Sequence, residues 1–432
     1  MVSEDLIYGM KLSSVGPGRV SGQDRTHEPT NMDLAMKLHY LRGVYYFNES
    51  AFEGVKVQNL KDPMFTWFNH FYTTCGRFRR DESTGRPYIK CNDCGVRFIE
   101  AKCTKTLDEW FLIKSNDASI EKLLVSNQVL GPQLVFSPLI LVQFTWFRCG
   151  GVSLGLSWAH VIGDAFAAID CMNAWGRVTM SIPLTTLNEP QNHIRSNPSK
   201  SPLEQPVEPL SARRVVSPVG DHWIIANKGE MKMFSLRITS QQLSDLKSRV
   251  SDLKGNNPLP PFESLCAIIW KCVGQVRNGP GPNLVTICRN DPSKRKTGIL
   301  SNGQSIRIVK AHYDISEAHP GELALLLLNQ SNDERYLIEE SMERGKGTTD
   351  FIVYGANLTF VDLVDADLYG LETRGHRPIS ANYFIDGVGD DGSVLVLPGP
   401  RDGEGGVVVN AVFPEAYIWE LRSELKKEWS IC

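Results

Sequence analysis

VSLGLSWAHVIGDAFAAIDCMNAWG, residues 152–176, changes period at its middle. From Val152 to Ser157 apolar and small residues alternate, the period of a buried strand, and Trp158 and Ala159 end the run. From Asp164 onward Phe166, Ile169, Met172 and Trp175 recur at helical spacing. His160 therefore falls where a strand gives way to a helix. Gly163 permits a tight turn there, and Asp164 is suited to cap the helix that follows. Such a mounting gives an imidazole a rigid strand behind it, a turn beneath it and a cleft in front. The His-x-x-x-Asp spacing alone is common by chance, and a structural histidine at the turn is the competing reading.

The rest of the chain bounds the class. Its 432 residues exceed what one core ordinarily serves, so two domains of roughly 200 residues are expected. Apolar residues make up 42% and charged residues 22%, the balance of a globular protein. A net charge of −3 offers no electrostatic case for nucleic acid. The opening MVSEDLIYGMKLSS has early acids and no apolar run, unlike a secretory signal. No apolar run approaches the ~18 residues of a membrane span, so no direct span is expected. The ten cysteines are scattered and read as reduced thiols. Cys91-Asn-Asp-Cys94 has no second pair at similar spacing to complete a zinc site. Its flanks PYIK and GVRFIEA alternate like strands, so residues 87–102 are expected to form a hairpin, and no metal site is expected.

Strand-like and helix-like segments interleave in the first half, residues 1–181. Residues 182–221 then hold seven prolines, at 183, 190, 198, 202, 206, 209 and 218, which reads as a linker or long crossing loop. The second half, residues 222–432, resumes with a strand at 234–238 and a buried helix at 262–276. It closes with two strands joined by GPRDGEGG, then a helix from Pro414. No helix follows that glycine-rich loop directly, so it is a hairpin turn and not a phosphate cradle. Lys294-Arg295-Lys296 is expected to be a solvated loop; contact with an anionic cofactor phosphate is the alternative.

At this point several stretches resemble one family, the plant BAHD acyltransferases. His160-x-x-x-Asp164 on its strand and helix resembles the family signature, Gly76-Arg77 with PYIKCNDCGVRFIEA resembles its first-domain hairpin, and FESLCAIIW (262–270) its second-domain helix. Asp402-Gly403 and the final strands resemble its C-terminus. The resemblance implies an α/β fold of two chloramphenicol-acetyltransferase-like domains, joined by a long crossing loop, with a central channel that the histidine faces. It also implies that His160 would be the general base, taking a proton from an alcohol or amine that attacks an acyl-CoA thioester, with Asp164 bracing the loop.

Two segments depart from the family pattern. Its Asp-Phe-Gly-Trp-Gly signature is matched best, without gaps, by Leu368 to Pro378, where Glu372 stands for the Asp while Thr373 and Gly375 replace the Phe and Trp. Of its Asp-Gly-Arg segment only Arg289 survives, after Ile287 and Cys288. An intact His-x-x-x-Asp beside an eroded second signature resembles the Eceriferum/Glossy group, which acts in cuticular wax synthesis. The strings MDLAMKLHYLRG, PYIKCNDCG, GLSWAHVIGDAF, YGANLTFVDL and NYFIDGVGDDG point the same way. This resemblance implies an accessory factor of very-long-chain fatty acid elongation working with a β-ketoacyl-CoA synthase. It would reside at the cytosolic face of the endoplasmic reticulum through that partner, be monomeric apart from it, and take acyl-CoA as substrate or ligand with no tightly bound cofactor. The alternative is a cytoplasmic, acyl-CoA-dependent O- or N-acyltransferase using His160 as base, in which Glu372 pairs with Arg289.

Overall fold

A computed structural model describes residues 6–22, 24–184, 207–251, 259–277, 281–295, 300–329, 332–401 and 404–431. Pro190, Pro198, Pro202 and Pro206 of the crossing stretch, Lys296, and Asp402-Gly403 lie outside the described residues.

Two large sheets carry the molecule. The first has six strands in the order Ile7–Val15, Val96–Cys103, Ile140–Trp146, Val152–Ala159, Tyr40–Phe47 and Ser380–Asp386. All neighbours in it are antiparallel except Val96–Cys103 and Ile140–Trp146. The second has seven, in the order Met231–Ile238, Val407–Pro414, Ser393–Pro398, Leu358–Asp362, Leu284–Arg289, Ser305–Lys310 and Asn332–Asp333. Its parallel pairs flank the central Leu358–Asp362 strand. Each sheet is covered by helices, as strands buried on both faces require. Helix Ala165–Thr179 packs against Val57–His70 in the first body. Helix Pro261–Val276, apolar nearly all round, is surrounded by Ser240–Val250, Pro320–Asn329 and Glu415–Trp429 in the second.

The expected hairpin at residues 87–102 is not formed. Pro87–Lys90 pairs with Arg77–Arg80 and with Thr26–His27 in a separate three-stranded sheet, whereas Val96–Cys103 belongs to the first large sheet. The two alternating runs are real strands, but the Cys91–Gly95 segment carries the chain from one sheet to the other. Cys91 is buried there and Cys94 exposed, both as free thiols.

Strand Ser380–Asp386 comes from the C-terminal half yet completes the first sheet, pairing along its whole length with Tyr40–Phe47. Phe351, Tyr354, Leu368 and Phe384 accordingly pack into the first core. The described end of the crossing stretch is fastened to the same body. Asp350 accepts from Val219 N at 3.1 Å and pairs with the buried Lys37 at 2.7 Å. Burial pushes the Lys37 ammonium below its ordinary range, against the pull of Asp350. Arg213–Arg214 adds a short antiparallel pairing with Phe351–Ile352.

A buried polar chain joins the two sheets at this crossing strand. The Glu121 carboxylate accepts from Tyr46 Oη at 2.7 Å, pairs with Lys114 Nζ at 2.7 Å and accepts from Asn382 Nδ2. Asn382 in turn accepts from Asn410 on the second sheet, whose amide also donates to the Tyr383 carbonyl at 2.6 Å. Removing the carboxylate strands a lysine, a tyrosine and an asparagine in the interior. Glu121→Ala is expected to cost about 3 kcal/mol in urea unfolding, and Glu121→Gln roughly half of that. Equal stability of all three proteins would show that the chain of polar contacts is dispensable.

Candidate functional site

The period change at residues 152–176 is built as the sequence implies. Strand Val152–Ala159 ends at His160, a short 3-10 turn spans His160–Ile162, and helix Ala165–Thr179 follows. Gly163 adopts φ 154°, and a Cβ there would lie 2.9 Å from that of Ala167, so glycine is required on both counts. Trp158 Nε1 donates to the Gly163 carbonyl at 2.8 Å and fixes the turn from beneath.

Asp164 is the N-cap. Its Oδ1 accepts from Ala167 N at 3.0 Å, and its Oδ2 accepts from Gly303 N at 2.8 Å, on a distant loop. Burial raises the carboxyl's pKa, opposed by these two N–H groups and by the nearby Arg295 and Arg335. The loop brought in by Gly303 carries Asn302, whose side-chain amide donates to the His160 carbonyl at 3.0 Å and to Asp33 Oδ1 at 2.8 Å. Asp33 also caps its own helix through Thr30. His160 is thus braced through its backbone carbonyl.

The ring is the unexpected part. The histidine expected to face a channel is 0% exposed, and its Nε2 lies 2.9 Å from the Tyr354 hydroxyl. That hydroxyl also meets Gln304, at 2.8 Å from Nε2 and 3.1 Å from Oε1. On its other side the ring meets its own backbone carbonyl and the Asn302 side chain. Two proton arrangements fit the contacts of the phenol: Gln304 donates to it and it donates to His160 Nε2, or it donates to Gln304 Oε1 and accepts from His160 Nε2; the backbone carbonyl beside the ring favours the first, with the imidazole proton on Nδ1. A second histidine stands beside this group. His39 Nδ1 is 2.8 Å from the Gly387 carbonyl, and its Nε2 accepts from Val353 N at 3.0 Å and Tyr354 N at 3.4 Å. The His39 ring sits 4.9 Å from that of Tyr354 and 6.4 Å from that of His160. Burial lowers the pKa of both imidazoles, to about 4 for His160 and about 3 for His39.

Sequence reasoning missed His39, Gln304 and Tyr354. His39 and Tyr354 lie inside strings that carried the family resemblance, but no spacing rule links residues 194 or 314 positions apart. The expected contact between Glu372 and Arg289 is absent. Glu372 pairs with Arg377 at 3.0 Å, across the turn closed by Thr373 and His376. Arg289 is taken by Glu263 at 2.5 Å and Asp362 at 3.3 Å, on its own sheet and covering helix. The basic loop is paired as well: Lys294 with Asp291 and Asp333, and Arg295 with Asp170.

Two outcomes follow from this geometry. Asp164→Ala removes a helix cap and orphans the buried Gly303 N–H, and a loss of about 3 kcal/mol is expected by urea unfolding. A loss below about 1 kcal/mol would mean the cap alone matters. The second concerns pH. Both histidines have folded pKa values below the free value of 6.5, so as pH falls from 6.5 the unfolded chain takes up protons that the folded chain refuses. Stability is present above that range and declines toward about pH 4, by on the order of 1 kcal/mol per pH unit for each histidine. The decline between pH 6.5 and about 5 is expected to be shallower in His160→Ala than in the unsubstituted protein; parallel slopes would mean that His160 is solvated.

Comparison with known proteins shows the family to which the chain belongs. The model of a family described as "Transferase family" matches residues 23–285. Protein ECERIFERUM 26 of Arabidopsis thaliana is 39% identical over 421 residues, covering 98% of this chain and 96% of that one. Protein ECERIFERUM 2 of the same plant is 34% identical over 430 residues, covering 97% and 98%. The crystal structure of vinorine synthase superposes with a TM-score of 0.70 at 16% identity, covering 97% of this chain and 98% of that one. That likeness establishes the chloramphenicol-acetyltransferase-like fold. With more than half of its length matched by the family model and nearly all of it by the two ECERIFERUM proteins, this chain belongs to the BAHD transferase family, in its Eceriferum-like clade.

Proposed function

We propose that the chain is an accessory factor of very-long-chain fatty acid elongation for cuticular wax, acting with a β-ketoacyl-CoA synthase. The observation that carries this reading is the closure of His160. A general base must present a neutral imidazole nitrogen to the acceptor it deprotonates. His160 meets the first condition, since burial holds it neutral, and fails the second, since the Tyr354 hydroxyl stands at Nε2. The separation of Glu372 from Arg289 agrees with a chain that has left ordinary acyl transfer. The full-length similarity to the ECERIFERUM proteins supports the wax setting. Acyl-CoA is then a ligand, or a substrate passed to the partner, with no tightly held cofactor. No helix among the described residues is long and apolar enough to cross a membrane. Residence at the cytosolic face of the endoplasmic reticulum would therefore come through the synthase.

One observation favours a second reading, acyl transfer to an alcohol or amine. The contact between Nε2 and a hydroxyl at 2.9 Å is the contact an acceptor alcohol would make, so displacing Tyr354 would leave a base in place. Co-expression in yeast with a wax-type β-ketoacyl-CoA synthase separates the two. Acyl chains read by gas chromatography should lengthen with the unsubstituted protein and equally with His160→Ala. Lengthening lost in His160→Ala, in a variant that still accumulates, would favour chemistry at the imidazole. No lengthening from either form would overturn the accessory reading.

A further inference from the structure

The closure of His160 has an anchor in the structure. Tyr354 follows strand Phe351–Ile352, and its main chain is not part of either large sheet. What holds it there is His39, in the turn just before strand Tyr40–Phe47. The His39 ring bridges two segments: it donates from Nδ1 to the carbonyl of Gly387 and accepts at Nε2 from the N–H groups of Val353 and Tyr354. Accepting at Nε2 requires an unprotonated nitrogen, so this anchor exists only for a neutral ring. The Tyr354 and His39 rings then pack in a T-shaped contact, and Gln304 fixes the hydroxyl. The backbone N–H of His160 donates to the His39 carbonyl at 3.1 Å, so anchor and base sit side by side at the ends of two paired strands.

We propose that Tyr354 is a built-in occupant of the acceptor hydroxyl's place at His160 Nε2, and that His39 is the positioning residue that keeps it there. This rests on the reading of His160 as retained but not presented to a substrate. The occupant is a poor acceptor. Burial holds the phenol's pKa well above its ordinary value, so it keeps its proton and offers His160 a hydrogen bond only. The other ionisable groups around the pair are Cys288, a buried thiol beside Tyr354, Asp33, behind the His160 turn, and Asp164, at the cap of the following helix; burial keeps the thiol protonated, and both carboxylates are already engaged by N–H donors.

The test reads the ring itself. In full-length protein with nitrogen-labelled histidine, the nine histidines are assigned by the signals lost in single variants. His160 is expected to be silent on titration from pH 7.5 to about 5 in the unsubstituted protein. In Tyr354→Ala water reaches the ring, and its midpoint is expected to rise by about two units, toward the free value of about 6.5. Tyr354→Phe keeps the packing and deletes the hydroxyl, so the Nε2 resonance should move while the protein stays folded. His39→Phe keeps a ring and deletes the anchor, and it should release His160 as Tyr354→Ala does. Ordinary titration of His160 in the unsubstituted protein, or an unmoved Nε2 resonance in Tyr354→Phe, would overturn the occupant. Release in Tyr354→Ala but not in His39→Phe would overturn the part assigned to His39. These readings use the isolated protein. A failure of chain lengthening in yeast would therefore sink the accessory role without touching them.

Discussion

The carboxylate of Asp164 ties together two segments that sequence keeps far apart, and the rest of the site hangs from it. One oxygen caps the helix after the His160 turn and the other receives Gly303 N–H. That second bond positions the loop on which Asn302 and Gln304 stand. Asn302 reaches the His160 carbonyl and Asp33, and Gln304 reaches the Tyr354 hydroxyl. A side chain expected to be a loop brace therefore does more than terminate a helix. It carries a junction between the N-terminal body, where His160 sits, and the loop leading into strand Ser305–Lys310 of the second sheet.

Low polarity then decides the charge state of everything at that junction. Two imidazoles and a phenol lie together with no solvent exposure to speak of, and the only affordable forms are neutral ones. Neutral rings suit the hydrogen bonds, because His39 must accept at Nε2 and His160 accepts from the phenol in the arrangement its own carbonyl favours. Burial and hydrogen bonding therefore point the same way, and the group is self-consistent without any ion pair at the rings. Lys37 a few residues away shows the contrast: a buried cation there is kept beside Asp350.

Much of this was legible in the sequence, and what was not has a common cause. The strand, turn and helix around His160 follow from local period, one glycine and one capping residue, and they stand where residues 152–176 put them. The buried helix at 261–276 and the final antiparallel pair were readable for the same reason. The failures involve pairing over distance. Alternation showed that PYIK and GVRFIEA are strands but could not show that they join different sheets. Nothing local in Ser380–Asp386 says that it crosses to complete the first sheet. The contact of Tyr354 with His160 belongs to the same class, since it forms only once that crossing has brought the C-terminal half alongside Tyr40–Phe47.

The ring of His160 bears on why an imidazole remains at a closed site. Its own backbone carbonyl and Asn302 stand on one side of the ring and the Tyr354 hydroxyl on the other, so the imidazole is engaged inside the protein. The Tyr354 hydroxyl also meets Gln304, so it does not depend on the imidazole for a partner. Stability argues most strongly for Asp164, whose two contacts are both to otherwise orphaned N–H groups. The two members of the signature are held by different forces: the aspartate belongs to the fold, and the histidine to a buried group of neutral, hydrogen-bonded rings.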